Sequence, residues 1–291
     1  MSQRAPRVSI GMPVYNGENF IQEALDSLLN QTYTDFELII SDNTSTDATE
    51  NICRSYAQRD QRIRYHRQSQ NQGAAWNYNH VFALATGEYF KWASHDDLCA
   101  PTFIERCVAI LDQESDVVLC TARTQSINGN GEVLQEYPAK PLGNSPKAWQ
   151  RFYEFTVVPH PCVSVFGLIR RDILQHTKLI GKYSGSDRPL LGELSLYGRM
   201  YEIQEFLFFY RNHESQSWAN KTLHEYQAWF DPSRLHKLTF PHWRLMVEHE
   251  LSLWRVPLKI YERLRCHLVM ARWIRKRWRF LIQNLILQDA S

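Results

Sequence analysis

The chain has 291 residues, 44% hydrophobic and 22% charged, with a formal net charge of +2. That length can bury one large core or one domain with a sizeable appendage, and the composition excludes a disordered, low-complexity or repeat protein. Six cysteines without a CxxC pair exclude a zinc ribbon or disulfide frame and read as reduced thiols of a cytosolic protein. Residues 1–6 lack the apolar core of a signal peptide, and no stretch approaches the roughly 18 apolar residues of a membrane span.

In chain order, residues 8–14 read as a first strand, with Pro13 tolerated near its end. Residues 17–31 follow as a helix, placing Phe20, Ile21, Leu25, Leu28 and Leu29 on one face. A second strand covers 36–41 and ends in Asp42, after which Asp47 and Glu50 form a capping-box pattern that opens a helix to about residue 58. Residues 63–66 make a third strand and 73–85 a third helix. The apolar run 89–93, opened by Gly87, is a fourth strand and leads to Asp96-Asp97. A helix over 102–113 and a strand over 117–121 complete this rhythm. It predicts an α/β fold with βαβ units and a mainly parallel sheet flanked by helices.

After Thr121 the pattern changes. Asn128-Gly129-Asn130-Gly131 signals a hairpin, 163–170 and 205–211 read as strands, and Leu190–Leu196 repeats as a helix with Pro189 in its first turn. From Leu223 onward the chain is helical and rich in tryptophan, which sets a domain boundary near 220. Residues 255–279 carry nine Lys or Arg against Glu262 alone, a local +8 that leaves −6 for the remainder. A basic segment on a mildly acidic body suits an anionic surface.

Several side chains are candidates for chemistry. Asp96 and Asp97 repel each other unless a divalent cation or cationic ligand lies between them, and a strand's carboxyl end is where open α/β sheets bind ligands. The same pair can also simply open a turn or cap a helix. Asp42, in a run of short polar residues, either shapes a turn or accepts from a base N–H or ribose hydroxyl. Asp187 precedes a helix and reads as its N-cap, and His213 in Arg211-Asn212-His213 reads as a polar-loop histidine. Arg170-Arg171 suits a phosphate or carboxylate, or solvent.

Pro13-Val14-Tyr15-Asn16-Gly17, Asn30-Gln31-Thr32-Tyr33, Phe36 to Asp42, Asn71-Gln72-Gly73, Asn77 to Asn79, Thr86-Gly87-Glu88-Tyr89 and Ser94-His95-Asp96-Asp97 occur in that order over roughly residues 7–215. Together they resemble family 2 glycosyltransferases of GT-A fold, in the branch that writes its acidic motif as Trp-Ala-Ser-His-Asp-Asp. The resemblance implies a GT-A domain over 1–220, with a nucleotide-sugar half at 7–121 and an acceptor half at 122–220, followed by a helical extension over 221–291.

It also implies roles. Pro13 and Tyr15 would line the nucleotide pocket, Asp42 would contact base or ribose, and Asn77 would lie near the nucleotide. Asp96 would hold the metal that bridges the diphosphate of a UDP- or GDP-type donor, with His213 completing the site and Ser94 standing where the family usually has another acid. Oxygen ligands suit Mg²⁺ or Mn²⁺, and an imidazole tilts the preference to Mn²⁺. Asp187 would be the general base of an inverting displacement onto a glycan or lipid-linked acceptor, with Glu193 in reserve.

The tail that interleaves Trp273, Trp278 and Phe280 with Arg272, Arg275, Lys276, Arg277 and Arg279 reads as an in-plane membrane helix or as a helix packed on the domain. No nucleic-acid motif accompanies it. The expected location is the cytoplasm, peripheral at the inner face of the membrane. The rival readings are a nucleotidyltransferase, which would show a glycine-rich basic loop after the first strand, and a non-catalytic nucleotide-sugar-binding scaffold.

Overall fold

The computed structural model describes residues 5–137, 142–213, 216, 223–234 and 240–286. Its first half alternates as the periodicity predicts: β1 (Val8–Val14), α1 (Ile21–Leu29), β2 (Phe36–Asp42), α2 (Thr49–Arg59), β3 (Ile63–Arg67), α3 (Ala74–Ala83) and β4 (Tyr89–Trp92). There follow β5 (Leu98–Cys99), α4 (Phe103–Gln113), β6 (Val117–Ile127), β7 (Val133–Glu136), α5 (Ala148–Thr156), β8 (Leu168–Arg170), α6 (Arg171–Leu174), α7 (Asp187–Tyr197) and β9 (Arg199–Arg211). Three helices end the described chain: α8 (Leu223–Phe230), α9 (Pro241–Arg255) and α10 (Ile260–Ile286).

All nine described strands join one sheet in the order β3-β2-β1-β4-β8-β6-β9-β5, with β7 paired to β6. β3, β2, β1 and β4 are mutually parallel, as are β6 and β9, while β8 runs antiparallel to β4 and β6. The mixed, mainly parallel sheet of the GT-A type is therefore present. β1 and β2 are buried at every position, polar Ser9 and Glu37 included, because helices cover both faces. The strand order reverses between β1 and β4, and a crevice at the carboxyl ends of such strands is where ligands bind.

The structure departs from the sequence reading in four places. The first helix begins only at Ile21, because Gly17 sits against His95, and a Cβ there would lie 2.7 Å from the imidazole. The capping box at α2 does not form. The Asp47 carboxylate accepts from the Thr49 and Glu18 amides, both at 3.0 Å, while Glu50 turns to Arg54 and Arg67 at 2.9 and 2.8 Å. Over 163–170 the strand is confined to Leu168–Arg170, and Cys162–Phe166 is a 3₁₀ turn, since Gly167 packs onto the Cys120 carbonyl. Finally, β6 continues six residues past Thr121 to Ile127 by pairing with the long β9. Its polar Arg123, Gln125 and Ser126 hid that continuation.

The helical extension shares a core with the α/β body. Leu253, Val256, Cys266, Val269, Met270 and Trp273 of α9, α10 and their link pack with Ala148 and Phe152 of α5 and Leu196 of α7. Arg255 grips Glu193 of α7 through two bonds of 2.8 Å. Trp273 is thereby buried and lies away from any membrane face, whereas Phe280 stacks on His242 at 5.3 Å and stays half exposed. Trp278 remains half exposed.

His249 is buried in this core between the rings of Phe152 and Trp273, at 5.9 and 6.1 Å. Burial, reinforced by the charges of Arg277 and Arg188, lowers its pKa to about 3. The unfolded chain titrates near 6.5 and so binds the proton more readily than the folded one. The stability this group contributes is therefore full above about pH 6.5 and is lost as pH falls below it toward 3. Urea midpoints should decline between pH 7 and pH 4, and His249→Leu should flatten that decline; an unchanged slope in the variant would assign it to other groups.

Candidate functional site

At the carboxyl edge of the sheet, Val14 of β1 and Asp42 of β2 are register partners, and the Asn43 amide donates to the Val14 carbonyl at 2.9 Å. Asn77 of α3 ties the two strand ends together: its Nδ2 donates to the Ser41 carbonyl at 2.8 Å and to the Val14 carbonyl at 3.4 Å. A cavity of about 370 Å³ opens here, lined among others by Pro13, Tyr15, Asn43, Asn77, His95 and Asp96. Asn77 Oδ1 is buried without a hydrogen-bond partner among the described residues. Pro13, Tyr15, Asn77 and Asp96, predicted from the sequence, thus meet in one place.

Asp42 does not join them. Its side chain is fully buried: Oδ1 accepts from the Ser45 amide at 2.8 Å and Oδ2 from the Tyr65 hydroxyl at 2.7 Å, with Arg67 at 3.6 Å. The carboxylate shapes the turn, and the next residue, Asn43, reaches the cavity instead. Asn43 Nδ2 donates to Asn71 Oδ1 at 2.8 Å, and Asn71 also lines the cavity. Sequence reasoning missed this asparagine pair, although Asn71 lies in a quoted motif and Asn43 directly follows Asp42.

A larger cavity, about 710 Å³, adjoins the first, and Tyr78, Ser94 and Asp96 line both. Asp97, Cys162, Asp187 and Arg188 belong to the larger one. Asp187 is the first residue of α7 and not its cap; its Oδ1 accepts from the Arg188 amide at 2.9 Å. Glu193, the reserve base, is buried in the Arg255 fork and lines neither cavity. Arg170 donates to the carbonyls of Val117 at 2.8 Å and Leu111 at 2.5 Å, and Arg171 to that of Gly87 at 2.7 Å. That pair is a backbone staple, not an anion site.

The acidic pair divides into two environments. Asp96 Oδ1 accepts from the Ser94 hydroxyl, and Oδ2 lies 3.0 Å from His213 Nε2. Burial opposes ionisation of Asp96, but the charge of His95 and the bonds from His213 and Ser94 outweigh it and bring its pKa to about 2. Asp97 is pushed the other way, well above the usual carboxylate range, by burial and by the neighbouring Asp96 charge. Its Oδ1 accepts from the Arg211 amide at 2.9 Å, and its Oδ2 has no partner.

Among the described residues, no cluster of three or more His, Cys, Asp or Glu is arranged to hold a metal. The pair formed by Asp96 and His213 nevertheless fits one. Two adjacent ligands of an octahedral ion bound at about 2.1 Å stand roughly 3 Å apart, and the observed separation is 3.0 Å. Carboxylate oxygen plus imidazole is a donor set for Mn²⁺ or Mg²⁺, with the remaining positions left to ligand and water.

Arg211 holds this arrangement. Fully buried at the end of β9, its guanidinium donates to the carbonyls of Asp96 at 2.8 Å and Gly129 at 2.9 Å, pairs with Glu23 of α1 at 2.6 Å, and lies 4.7 Å from the Phe20 ring. Phe20 also packs on His213 at 4.5 Å between centroids. Both candidate metal ligands are thus positioned by one side chain and its ring partner.

Comparison with known proteins identifies the family and the fold. The sequence model of the family described as Glycosyl transferase family 2 matches residues 9–177. An uncharacterized glycosyltransferase of Rickettsia typhi is 42% identical over 119 residues, 40% of this chain and 36% of that protein. One of Methanocaldococcus jannaschii is 29% identical over 178 residues, 60% of this chain and 61% of its own length. The chain therefore spans less than two thirds of either relative. Among solved structures, S. aureus TarS in complex with UDP-GlcNAc superposes with a TM-score of 0.69 at 15% identity, covering 98% of this chain and 76% of that one. The Pyrobaculum calidifontis mannosyltransferase PcManGT, in complex with GDP-Man and Mn²⁺, gives a TM-score of 0.54 at 16% identity, covering 99% and 89%. At such identities the likeness is one of fold.

Arg211→Met removes two charge-assisted hydrogen bonds, to the Asp96 and Gly129 carbonyls, at about 1.5–3 kcal/mol each, so chemical denaturation should show a loss of roughly 3 kcal/mol. Glu23→Ala removes a half-exposed partner and should cost under about 1 kcal/mol. Equal losses for the two variants would refute the central place given to the buried guanidinium.

Proposed function

Because the chain belongs to glycosyl transferase family 2, whose model spans residues 9–177, we propose that it transfers a glycosyl group from a nucleotide-sugar donor to an acceptor hydroxyl with inversion. The observation that carries this reading is the meeting of two cavities at Asp96, with Asp187 in the second. The smaller cavity takes the nucleotide: Pro13 and Tyr15 flank it, and the unpartnered Asn77 Oδ1 accepts a base or ribose donor. Asp42 acts behind it, holding the turn that presents Asn43. A UDP- or GDP-type donor is in keeping with the complexes of TarS and PcManGT.

Asp96 and His213 hold the divalent cation, Mn²⁺ or Mg²⁺. Bound there, it supplies a Lewis acid that neutralises the charge growing on the departing diphosphate. The bond from Ser94 keeps Asp96 oriented in place of a second acid. In the larger cavity the Asp187 carboxylate takes the proton of the acceptor hydroxyl as that oxygen attacks the anomeric carbon, and a single displacement inverts the centre. The acceptor is a glycan or lipid-linked sugar of polysaccharide assembly. The scaffold reading draws on Ser94, and turnover separates it from catalysis.

Wild type and Asp187→Asn should be compared on a panel of UDP- and GDP-sugars with Mn²⁺ and varied acceptors. The variant should lose about 10²–10⁴-fold in turnover while its nucleotide affinity stays within about twofold. Unchanged turnover refutes the base. Tight nucleotide binding without turnover by wild type across the acceptor panel supports the scaffold.

The extension supports a peripheral membrane location at the inner face. No described helix is long and apolar enough to cross a membrane. At 3.6 residues per turn, α10 has three sides. Cys266, Val269, Met270, Trp273 and Leu281 face the core, whereas Ile260, Leu264, Leu268, Ile274, Trp278 and Ile282 form an exposed apolar stripe. Arg265, Arg272, Arg275, Lys276 and Arg279 are exposed beside it. An apolar stripe with a basic flank matches an anionic bilayer surface, and the like charge of the segment opposes pairing with a second copy. The protein should float with vesicles containing phosphatidylglycerol and not with neutral ones. Leu264→Asp with Leu268→Asp, both on the exposed side, should abolish flotation without altering nucleotide affinity. Flotation that survives these substitutions refutes the assignment of the face.

A further inference from the structure

The acceptor of the proposed transfer has to enter the larger cavity, and the charges that line it bear on what that acceptor carries. Asp96, Asp97 and Asp187 supply carboxyls there, and Arg188 supplies a guanidinium. The other arginines near this side of the fold are engaged. Arg170 and Arg171 bind backbone carbonyls, Arg211 is enclosed, and Arg255 is held by Glu193. Arg244 pairs with Glu248 at 2.9 Å. Arg188 differs: among the described residues no carboxylate lies within ion-pairing distance of it, and its guanidinium makes no hydrogen bond to a described residue. Asp187, its neighbour in sequence, directs a carboxylate oxygen to the Arg188 backbone amide instead.

A second uncompensated guanidinium shares its surroundings. Arg277 of α10 rests on the Trp273 ring at 5.1 Å and is likewise without a carboxylate partner among the described residues. Burial lowers its pKa, and the Arg188 charge lowers it further. Buried His249 feels both charges: burial first, then Arg277 and Arg188, depress its pKa to about 3. Two like charges on different elements, neither paired with a carboxylate among the described residues, are stabilised when an anion joins them. A guanidinium presents a planar fork that matches the oxygens of a phosphate or carboxylate.

We propose that Arg188 forms an anion subsite of the acceptor cavity, beside Asp187, that selects acceptors carrying a phosphate or carboxylate, with Arg277 reinforcing its charge. The inference rests on reading the larger cavity as the acceptor side. In that arrangement the anionic group docks on Arg188 and holds the acceptor hydroxyl toward the neighbouring Asp187. The selectivity is one of binding: a neutral sugar leaves the guanidinium without a counter-charge.

The test uses the full chain saturated with UDP and Mn²⁺, so that the donor pocket is occupied. Glucose 6-phosphate, glucuronate and glucose are titrated as probes by calorimetry. The two charged sugars should bind about tenfold or more tightly than glucose, the worth of one charge-assisted hydrogen bond. Arg188→Gln should erase that preference, Arg188→Lys should restore part of it, and UDP affinity and thermal midpoint should stay at wild-type values. If the phosphate sugar alone is preferred, the subsite is a phosphate site; if glucuronate alone, a carboxylate site. Equal binding of charged and neutral sugars, failure of the charged sugars to bind, or a preference that survives Arg188→Gln each overturns the proposal. Donor turnover, measured separately, reports on the transferase reading: its absence with the charge preference intact counts against catalysis and not against the subsite.

Discussion

A guanidinium with no access to water has to be surrounded by acceptors, and Arg211 satisfies that demand by pulling together segments far apart in the chain. It binds the carbonyl of Asp96 at the end of the β4 loop, the carbonyl of Gly129 in the β6–β7 hairpin and the carboxylate of Glu23 on α1. Its own amide meets Asp97. Because the donor is a fully buried charge, losing any of those bonds costs about 1.5–3 kcal/mol. The acidic turn, the hairpin and the start of α1 therefore move as one unit. His213, two residues further on, inherits its position against Asp96 from the same anchor and from the Phe20 ring.

Around that anchor the electrostatics sort themselves by environment. Asp96 collects His95, His213 and Ser94, which hold its pKa down, whereas Asp97, more deeply buried and next to that charge, is pushed above the usual carboxylate range. Two adjacent acids of the same type thus have opposite tendencies. Asp96 stands on the wall between two cavities, one lined by asparagines and Tyr15, the other by Asp187 and Arg188. A charged group at such a junction acts on whatever occupies either side. The larger cavity also carries Arg188, which lacks a counter-charge among the described residues.

Much of this was legible before any coordinates. The mainly apolar stretches of β1 and β2 and the helical spacing between them specify a covered parallel sheet, because a strand buried on both faces is short of polar side chains. Pro13, Tyr15, Asn77 and Asp96 were named as a group from ordered motifs, and the structure brings them to one cavity. The hairpin at Asn128–Gly131 was announced by its turn residues, and the Gly131 backbone at φ +83° shows why glycine is needed there. The extent of β6 was hidden because its pairing is with β9, more than seventy residues away, and polar positions interrupt its local pattern.

The sequence by itself determined the class of fold, the order of its elements, and which residue types stand at the strand ends, since periodicity and turn chemistry are local properties. Only the tertiary structure decided which polar groups are engaged and which remain available. Asp42 and Glu193 look like site acids in the chain, yet Tyr65 and Arg255 claim them. Arg170-Arg171 looks like an anion site, yet backbone carbonyls occupy it, while the unremarked Arg188 reaches the cavity. Trp273 looks like an interfacial ring and is core. Whether a charge or ring meets solvent, a partner or a ligand depends on contacts across long sequence separations, and no local pattern carries that information.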